Sequence, residues 1–328
     1  MGELAAETLI TSGLHGTLSP GAELPRVGRM SLGPVPSGFS LRRTAMSHGW
    51  CALAPTAYDD RSNALHRTLS LPDAGALTVT VTQSKDGRLR ASWGRVEGSC
   101  ADRVAVKAAL RHMLALDDDL TELHEHCRTV PGLEWVSELA VGRILRSPIV
   151  FEDLVKTLAT TNCSWRLTEL MTERIVESLS PRGPSGERAF PGPETFVAAG
   201  ETHFTDVVRA GYRARAFVEL AQRCLSGELD SASWFSPEVD DADVLGQIKA
   251  LRGFGPYAAE GMLGLVGRPR GLALDSWIRA KLPRILGRES MTDAEIAERY
   301  APLERWAGLG LWLELTRDWF SPPPPPEL

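Results

Sequence analysis

Apolar and polar positions divide the chain into a short region of strands followed by a long region of helices. Apolar side chains alternate with polar ones from Leu77 to Val81, and Asp86-Gly87 is a typical hairpin turn before a second alternating run that ends near Trp93. Period-two alternation is characteristic of a strand with one buried face. The pattern therefore predicts a small antiparallel sheet within residues 39–98.

Beyond residue 101 the period changes to that of helices. Apolar residues recur at three- and four-residue intervals between Val104 and Leu114, and from about residue 135 to Trp319 nearly every segment has helical spacing. Pro148 begins one such segment, whose apolar face is formed by Phe151, Leu154, Val155 and Leu158. The predicted fold class is α+β, mainly α, with a small N-terminal antiparallel sheet domain followed by an all-helical domain.

Composition shifts give the predicted boundaries. Residues 1–38 are rich in Gly, Pro and Ser without periodicity, which predicts a flexible arm. Residues 39–134 form the predicted sheet domain with its helices, and residues 135–320 form the helical domain. Residues 321–328 contain five consecutive prolines and predict an exposed polyproline tail.

Charge and cysteine content exclude several classes of protein. The net charge is −6, but only five of the 36 basic residues are lysines, so phosphate contacts would depend on arginine. No apolar run is long enough to span a membrane and no secretory signal precedes the arm, so we expect a cytoplasmic, nucleoid-associated protein without a membrane partner. The five cysteines are far apart, and His124 and His126 do not share a helix face, so no metal site is expected.

A helical hairpin is the first candidate for chemistry. Asp243 to Leu251 has amphipathic helical spacing, Gly253-Phe254-Gly255 forms a turn, and Pro256 begins a second helix. The first N–H groups of that helix lack intrahelical partners, and such groups bind phosphate. Phe254 is predicted to point inward. The alternative is an ordinary helical hairpin with no ligand.

The residues around this hairpin resemble a known superfamily. "LRGFGPYAAEGML" followed by "LALDSWIRAKL" resembles the helix-hairpin-helix (HhH-GPD) DNA glycosylases. Four further stretches, "PIVFEDLVKTLATTNCSWRLT", "FPGPETFVAAGE", "GYRARAFVELAQ" and "RYAPLERWAGLGLWLELTRDW", are similar to 8-oxoguanine glycosylases and bacterial inducible 3-methyladenine glycosylases. The resemblance covers about residues 39–320. It implies two helical subdomains with a cleft between them.

The resemblance also implies a ligand and a set of site residues. The ligand is duplex DNA containing a damaged base, bound by a monomer that needs no cofactor, with a monovalent cation at the hairpin carbonyls as an optional addition. Asp275 is the implied catalytic carboxylate, although an aspartate before a helix can also be only an N-cap. The implied phosphate-binding hairpin consists of Gly253, Phe254, Gly255, Tyr257 and Ala258.

One departure from the superfamily concerns the reaction. Bifunctional members carry a lysine in the second hairpin helix that forms a Schiff base with the sugar. Tyr257 stands in that position here, and neither Lys249 nor Lys281 matches it, so both are predicted to lie off the catalytic face. The sequence therefore predicts a monofunctional enzyme that uses water.

A second departure concerns the base. The glutamine and phenylalanine with which 8-oxoguanine readers recognise the flipped base are replaced by Leu311 and Leu315. Aromatic residues suit an alkylated, electron-poor purine instead. The candidate pocket residues are Trp277, Tyr257, Trp306 and Trp312, of which about two are expected to touch the base and the others to be plain core.

The remaining predicted contacts are with the duplex. Asn162, with help from Cys163, is the candidate for filling the gap that the flipped base leaves. The equal alternative is that Asn162 only caps or ends a helix. Arg213, Arg215 and Arg279 are candidates for the DNA backbone, with pairing to acidic neighbours as the alternative. The predicted function is a monofunctional glycosylase for alkylated purines; the alternatives are a glycosylase/lyase for oxidised purines and a non-catalytic damage-binding protein.

Overall fold

A computed structural model of the chain describes residues 26–71, 75–94, 103–183 and 186–320. Within these ranges the fold is α+β and mainly α, as predicted. No helix among the described residues is long and apolar enough to cross a membrane. The predicted proline-rich tail, residues 321–328, lies outside the described residues.

Five antiparallel strands form a single sheet at the N-terminal end. Its order is β1-β5-β4-β3-β2, and the strands are β1 Arg26–Ser31, β2 Thr56–Asp59, β3 Ala64–Leu71, β4 Gly75–Gln83 and β5 Leu89–Gly94. In the predicted hairpin, Val81 pairs with Ala91, and Gly87 adopts a φ of 82° in the turn. Alternate residues of β4 are buried, because one face of the sheet covers the core.

The first strand corrects the predicted arm. Residues 1–25 lie outside the described residues, but Arg26–Ser31 pairs with β5 along one edge of the sheet. The arm assigned to residues 1–38 is therefore wrong from Arg26 onward. Short strands rich in Gly and Arg carry little periodicity, and β1 exists because β5 offers it a ladder of backbone hydrogen bonds.

Thirteen helices lie within the described residues. They are α1 Leu41–Ala45, α2 Arg103–Met113, α3 Thr121–Cys127, α4 Glu134–Glu138, α5 Val150–Thr160, α6 Trp165–Leu179, α7 Pro193–Asp206, α8 Arg213–Leu225, α9 Asp241–Lys249, α10 Pro256–Leu265, α11 Ser276–Ile285, α12 Asp293–Tyr300 and α13 Ala307–Leu315. Short 3₁₀ turns occupy Gly49–Ala52, Ser233–Phe235, Ala301–Trp306 and Arg317–Phe320.

Two hydrophobic clusters divide the core. One joins the sheet to helices α5 to α10, and the other joins helices α3 and α4 to helices α11 to α13. Residues 120–133, which the sequence assigned to the sheet domain, therefore pack with the C-terminal helices. The described helices form two groups, and the candidate site residues come from both.

Helix α5 is buried on every side, which its amphipathic pattern did not predict. Its polar residues Glu152 and Lys156 are as inaccessible as its apolar ones. Arg67 of β3 donates two hydrogen bonds, of 2.7 and 2.6 Å, to the Glu152 carboxylate, and Lys156 pairs with the same group at 2.7 Å. These two cations hold the pKa of Glu152 below its ordinary value against the opposing effect of burial, which is the larger single influence. The sheet and the helical region are thus joined by a buried ionic cluster.

Candidate active site and nucleic-acid interface

The predicted hairpin is present, formed by α9, a turn and α10. Phe254 is buried in the turn, as predicted, and contributes to the larger core cluster. Gly255 is the N-cap of α10 and Pro256 its first residue, so the cap offers no side chain to the first turn. The N–H groups of Tyr257 and Ala258 precede the first intrahelical bond, which Ala259 donates to Gly255 at 3.0 Å. The first turn of α10 therefore has the geometry of a helix start that can bind an anion. Phosphate contacts of Gly253, Gly255, Tyr257 and Ala258 stay predictions.

The two glycines of the turn are under different structural constraints. Gly253 has a φ of 89°, and a Cβ on it would lie 2.5 Å from Leu158 of α5. Gly255 has an ordinary extended backbone, and a Cβ on it would meet nothing within 4 Å. The fold itself therefore requires glycine at position 253 but not at 255. Gly255 leaves room outside the protein, where a ligand backbone can approach.

Asp275 lies at the N-cap of α11 and keeps one oxygen available. Its Oδ1 accepts a hydrogen bond of 2.7 Å from the N–H of Ile278, so the capping alternative raised by the sequence holds. Within the described residues, its other oxygen has no hydrogen-bond partner. The side chain is only partly buried. One oxygen thus fixes the carboxylate while the other remains free for chemistry.

Tyr257 brings the hairpin and Asp275 together. Although 42% of the residue is exposed, burial of the phenol raises its pKa to about 12, and the Asp275 carboxylate adds to the increase. The phenol hence lies within electrostatic range of the carboxylate and stays protonated near neutral pH. It can donate a hydrogen bond, but it cannot form an imine.

Two of the four predicted pocket residues, Trp277 and Trp312, form an aromatic pair. The rings of Trp277, on α11, and Trp312, on α13, lie 6.1 Å apart and are tilted by 47°. The Trp312 indole donates a 2.8 Å hydrogen bond to the carbonyl of Ser47 in the sheet region. Trp277 follows Asp275 by two residues. A half-buried aromatic surface therefore lies beside the catalytic candidate.

Trp306 does not belong to this surface and is one of the four candidates that is plain core. It is only 7% exposed and lies in the second core cluster. Its indole donates to Glu122 at 3.0 Å, and the Arg305 guanidinium covers its ring. An indole held by these contacts cannot stack on an extrahelical base.

Lys281 was predicted to lie off the catalytic face, but the structure places it beside Trp277. It follows Trp277 by one helical turn, and its ammonium lies 5.0 Å from the centre of that ring. It also lies 3.8 Å from Asp318. Lys249, by contrast, is the exposed last residue of α9 and lies near Arg252. The fold thus brings one amine to the aromatic pair.

The segment after α5 forms a projecting tip. Asn162 is exposed, has a φ of 47°, and donates to the Tyr212 hydroxyl at 3.2 Å. Tyr212 itself is 62% exposed. Sequence reasoning missed this residue, although an aromatic residue between Gly211 and a basic helix start was visible in "GYRAR". Asn162 and Tyr212 together form the tip.

Two other residues predicted for the duplex point inward and support the tip instead. Arg213 is 4% exposed, donates to the Thr161 hydroxyl at 3.2 Å and to the Thr161 carbonyl, and stacks on the Tyr212 ring. Cys163 donates to the Ala159 carbonyl at 3.0 Å. Because Arg213 is buried and its guanidinium is bonded within the protein, its predicted contact with the DNA backbone does not hold. The gap-filling role of Cys163 stays a prediction.

The other two predicted arginines are exposed but paired. Arg215 and Arg252 share the single carboxylate of Glu219, at 2.7 and 2.5 Å, so this group beside the hairpin keeps a net positive charge. Arg279 makes a two-pronged ion pair with Asp293, at 2.8 and 2.9 Å, and its third nitrogen donates to the Leu274 carbonyl just before Asp275. Contacts of Arg215 and Arg279 with the DNA backbone stay predictions.

Possible metal ligands meet in one place among the described residues. His126, Glu122 and Glu304 could each offer one ligand atom there. Glu122 already pairs with Arg305 and accepts the Trp306 N–H, so its charge is compensated without a metal. Four cysteines, Cys51, Cys127, Cys163 and Cys224, are free thiols, and Cys100 lies outside the described residues.

Comparison with solved structures identifies the architecture. The chain is similar to the 3-methyladenine DNA glycosylase from Archaeoglobus fulgidus, with a TM-score of 0.61 and 21% identity over 90% of this chain and 99% of that chain. It is similar to MBOgg1 in complex with a low-affinity DNA ligand, with a TM-score of 0.66 and 18% identity over the same shares. For the apo 8-oxoguanine glycosylase/lyase of Clostridium acetobutylicum the TM-score is 0.65 and the identity 16%, over 85% of this chain and 93% of that chain.

No model of a protein family matches the chain, and no curated protein matches it by sequence. The solved structures show that the chain has the fold of the helix-hairpin-helix DNA glycosylases, so the resemblance is confirmed at the level of fold. These neighbours include proteins named for an alkylated base and proteins named for an oxidised base.

Proposed function

We propose that the chain is a DNA N-glycosylase of base excision repair that flips a damaged base out of duplex DNA and hydrolyses its glycosidic bond. One observation carries the proposal. Asp275 keeps one oxygen free, its charge adds to the rise in pKa of the buried Tyr257 phenol at the start of α10, and it lies two residues before Trp277 of the Trp277–Trp312 pair. Phosphate binding, charge stabilisation and base stacking can therefore act on one nucleotide.

Binding begins at the hairpin. The free N–H groups at the start of α10 and the positive helix end bind a backbone phosphate, while Arg215 and Arg252 add charge nearby. These contacts do not read sequence, since they go to phosphates. Asn162 and Tyr212, which are exposed on the same helical group as the hairpin, fill the space that the flipped nucleotide vacates. The protein acts as a monomer in this proposal.

The chemical step needs only this chain and water. As the bond between C1′ and the base nitrogen breaks, its electron pair leaves with the base and positive charge develops on the deoxyribose. The free oxygen of Asp275 stabilises that charge and orients a water molecule toward C1′. Water forms the new C1′–O bond and loses a proton to the carboxylate or to solvent. No cofactor is required.

Hydrolysis rather than lyase chemistry follows from the residues at hand. Tyr257 offers a phenol with a pKa of about 12 where the superfamily's lyases place their lysine. Lys281 lies on Trp277 and near Asp318, so its ammonium already has two partners. Water is therefore the nucleophile in this proposal.

An alkylated purine is the base that the pocket favours. Tryptophan faces attract an electron-poor or cationic ring more strongly than a neutral one. Leu311 and Leu315 are both buried and apolar, so they offer no hydrogen bond with which to read an oxidised purine. Because Lys281 already lies over Trp277, Trp312 provides the stacking face in this proposal.

Base release from defined substrates tests the proposal. The full chain is incubated with methylated DNA and with duplexes carrying a single hypoxanthine or 8-oxoguanine; released bases are identified by mass spectrometry, and abasic sites are cleaved with alkali. Release of methylated purines, with Asp275→Asn as the inactive control, is expected. Release of 8-oxoguanine alone would replace the proposed substrate, and tight binding of damaged duplexes without any release would make the chain a damage-binding protein.

A further inference from the structure

We infer that Glu260 is a positioning residue that fixes the catalytic carboxylate relative to the phosphate-binding hairpin. The inference rests on the proposed function and deepens it. Glu260 lies on α10, one turn after Tyr257, and takes no part in the hairpin contacts or the aromatic pair. Its carboxylate faces the loop of residues 269–274 that leads into Asp275.

The contact is a short, charge-assisted hydrogen bond. Oε2 of Glu260 accepts the backbone N–H of Ala273 at 2.6 Å, in a partly buried environment. Ala273 has a φ of 48°, in the left-handed region that alanine avoids. A residue in that conformation persists only when its surroundings hold it there. The hydrogen bond to the Glu260 carboxylate holds Ala273 in this conformation, and Ala273 lies two residues before Asp275.

Close packing on both sides leaves this loop little freedom. A Cβ on Gly271 would lie 2.7 Å from Cγ of Glu260, so the loop backbone lies against the Glu260 stem. On the opposite side, a Cβ on Gly308 of α13 would lie 1.9 Å from the Gly271 carbonyl oxygen. The N–H groups of Gly308 and Leu309 donate to the Pro269 carbonyl at 2.9 and 3.3 Å. The loop is thus held between α10 and α13.

This arrangement couples two parts of the site. The helix that starts at the phosphate-binding turn also carries the acceptor that fixes the loop before Asp275. A phosphate bound at the hairpin therefore has a defined distance to the carboxylate. Catalytic groups need positions accurate to about 0.5 Å, and a misplacement of about 1 Å can cost a hundredfold in rate.

Two substitutions at one position test the role. Glu260→Gln keeps an oxygen acceptor, whereas Glu260→Ala removes it. We expect Glu260→Ala to lower the single-turnover excision rate by roughly 10- to 100-fold, with Kd for a duplex containing an abasic-site analogue unchanged. Glu260→Gln should stay near the parent rate. A parent rate in Glu260→Ala, or a loss of DNA affinity equal to the loss of rate, would overturn the positioning role.

Rescue at Ala273 separates positioning from general damage. Glycine adopts the left-handed conformation freely, so Ala273→Gly should restore part of the rate in the Glu260→Ala background and change little in the parent. An equal effect of Ala273→Gly in both backgrounds would contradict the proposed hold on the loop. Thermal unfolding of each variant verifies that it is folded.

Hydrogen exchange gives a readout that does not depend on activity. Exchange of the peptide covering residues 269–275 should accelerate in Glu260→Ala and not in Glu260→Gln, because the Ala273 amide loses its acceptor. If the parent releases no base but exchange responds as expected, the proposed function fails while the hold on the loop stands. If the parent is active and exchange is the same in all three proteins, the inference fails and the function stands.

Discussion

At the scale of single residues, Asp275 combines two uses of one carboxylate. One oxygen caps α11 through the Ile278 N–H, and the other is free for the reaction. Asparagine caps a helix as well as aspartate does but carries no charge. The cap and the charge can therefore be separated by one substitution.

We expect Asp275→Asn to fold and to bind abasic-site DNA like the parent, with excision slowed by roughly 10²- to 10³-fold. Thermal unfolding, a binding titration and single-turnover base release measure the three properties. Asp275→Ala is the matched control, since it should also lose about 1 kcal/mol of stability with the cap. Excision at the parent rate by Asp275→Asn would remove the carboxylate from the reaction.

The nature of the nucleophile is also decided by single residues. A Schiff base needs an amine at C1′, and Tyr257 has none. The protein should release base without nicking the strand, and borohydride should trap no adduct with DNA. Lys281 is the amine that the fold brings to the aromatic pair. Trapping that disappears in Lys281→Gln but persists in Lys249→Gln would make the enzyme a lyase.

At the scale of elements, the hairpin turn separates folding from binding. Gly253 has a left-handed backbone conformation and packs so closely against Leu158 that a side chain would not fit. Gly255 satisfies no internal constraint, and a methyl group there would project into the space where a phosphate is expected. The same substitution at the two positions should therefore have different consequences.

Gly255→Ala should fold with a loss of no more than about 1 kcal/mol, since alanine is a poorer N-cap than glycine. It should bind DNA more weakly, whatever the sequence, because the methyl group keeps the phosphate from the N–H groups. Gly253→Ala should lose about 2 kcal/mol of stability or more, from backbone strain and overpacking. Thermal unfolding and binding titrations at several salt concentrations measure both effects. Parent affinity in Gly255→Ala at every salt concentration would exclude the hairpin from the interface.

At the scale of the whole molecule, the sheet region holds the helical region in place. Arg67 reaches into α5, Trp312 is anchored on Ser47, and a Cβ on Gly49 would strike the Trp165 ring at 2.1 Å. His48 adds a fourth tie, a 2.6 Å hydrogen bond to the Leu145 carbonyl. Helix α6 and the pocket residue Trp312 thus both pack against residues 47–49.

His48 makes this junction sensitive to acid. Burial lowers the pKa of His48 from 6.5 to about 4, against the weaker opposing effect of its backbone hydrogen bond. In the unfolded chain His48 takes up a proton below about pH 6.5, whereas in the folded chain it does so only near pH 4. The free energy of unfolding is therefore unaffected by His48 above pH 6.5 and falls as the pH decreases toward 4. The loss is on the order of 3 kcal/mol.

Urea unfolding between pH 7.5 and 4.5 measures this loss. His48→Gln keeps a donor for the Leu145 carbonyl but does not titrate, so its stability should fall less steeply over that range. Burial also lowers the pKa of His112 to about 4. His112 therefore makes the stability fall with decreasing pH in both the parent and His48→Gln. An identical pH dependence in parent and His48→Gln would contradict the assignment.

The sequence by itself determined the features that depend on neighbouring residues. The alternating run from Leu77 to Val81 and its Asp86-Gly87 turn appear as the β4–β5 hairpin. The Gly-Phe-Gly turn followed by Pro256 appears as the start of a helix. Periodicity, turn residues and helix boundaries are local, so they can be read along the chain. Asp275 was found differently, because its role came from the resemblance to the helix-hairpin-helix glycosylases.

Only the tertiary structure decided what each side chain touches. Arg213 and Trp306 were candidates for contacts with DNA, and both are buried within the protein. Lys281 and Tyr212 showed no local signal strong enough to place them, since the partners that define their positions lie far away in sequence. The polar face of α5 is buried for the same reason, because Arg67 comes from a strand more than eighty residues earlier. Spacing fixes which face of a helix a residue occupies, but what covers that face depends on how the elements pack.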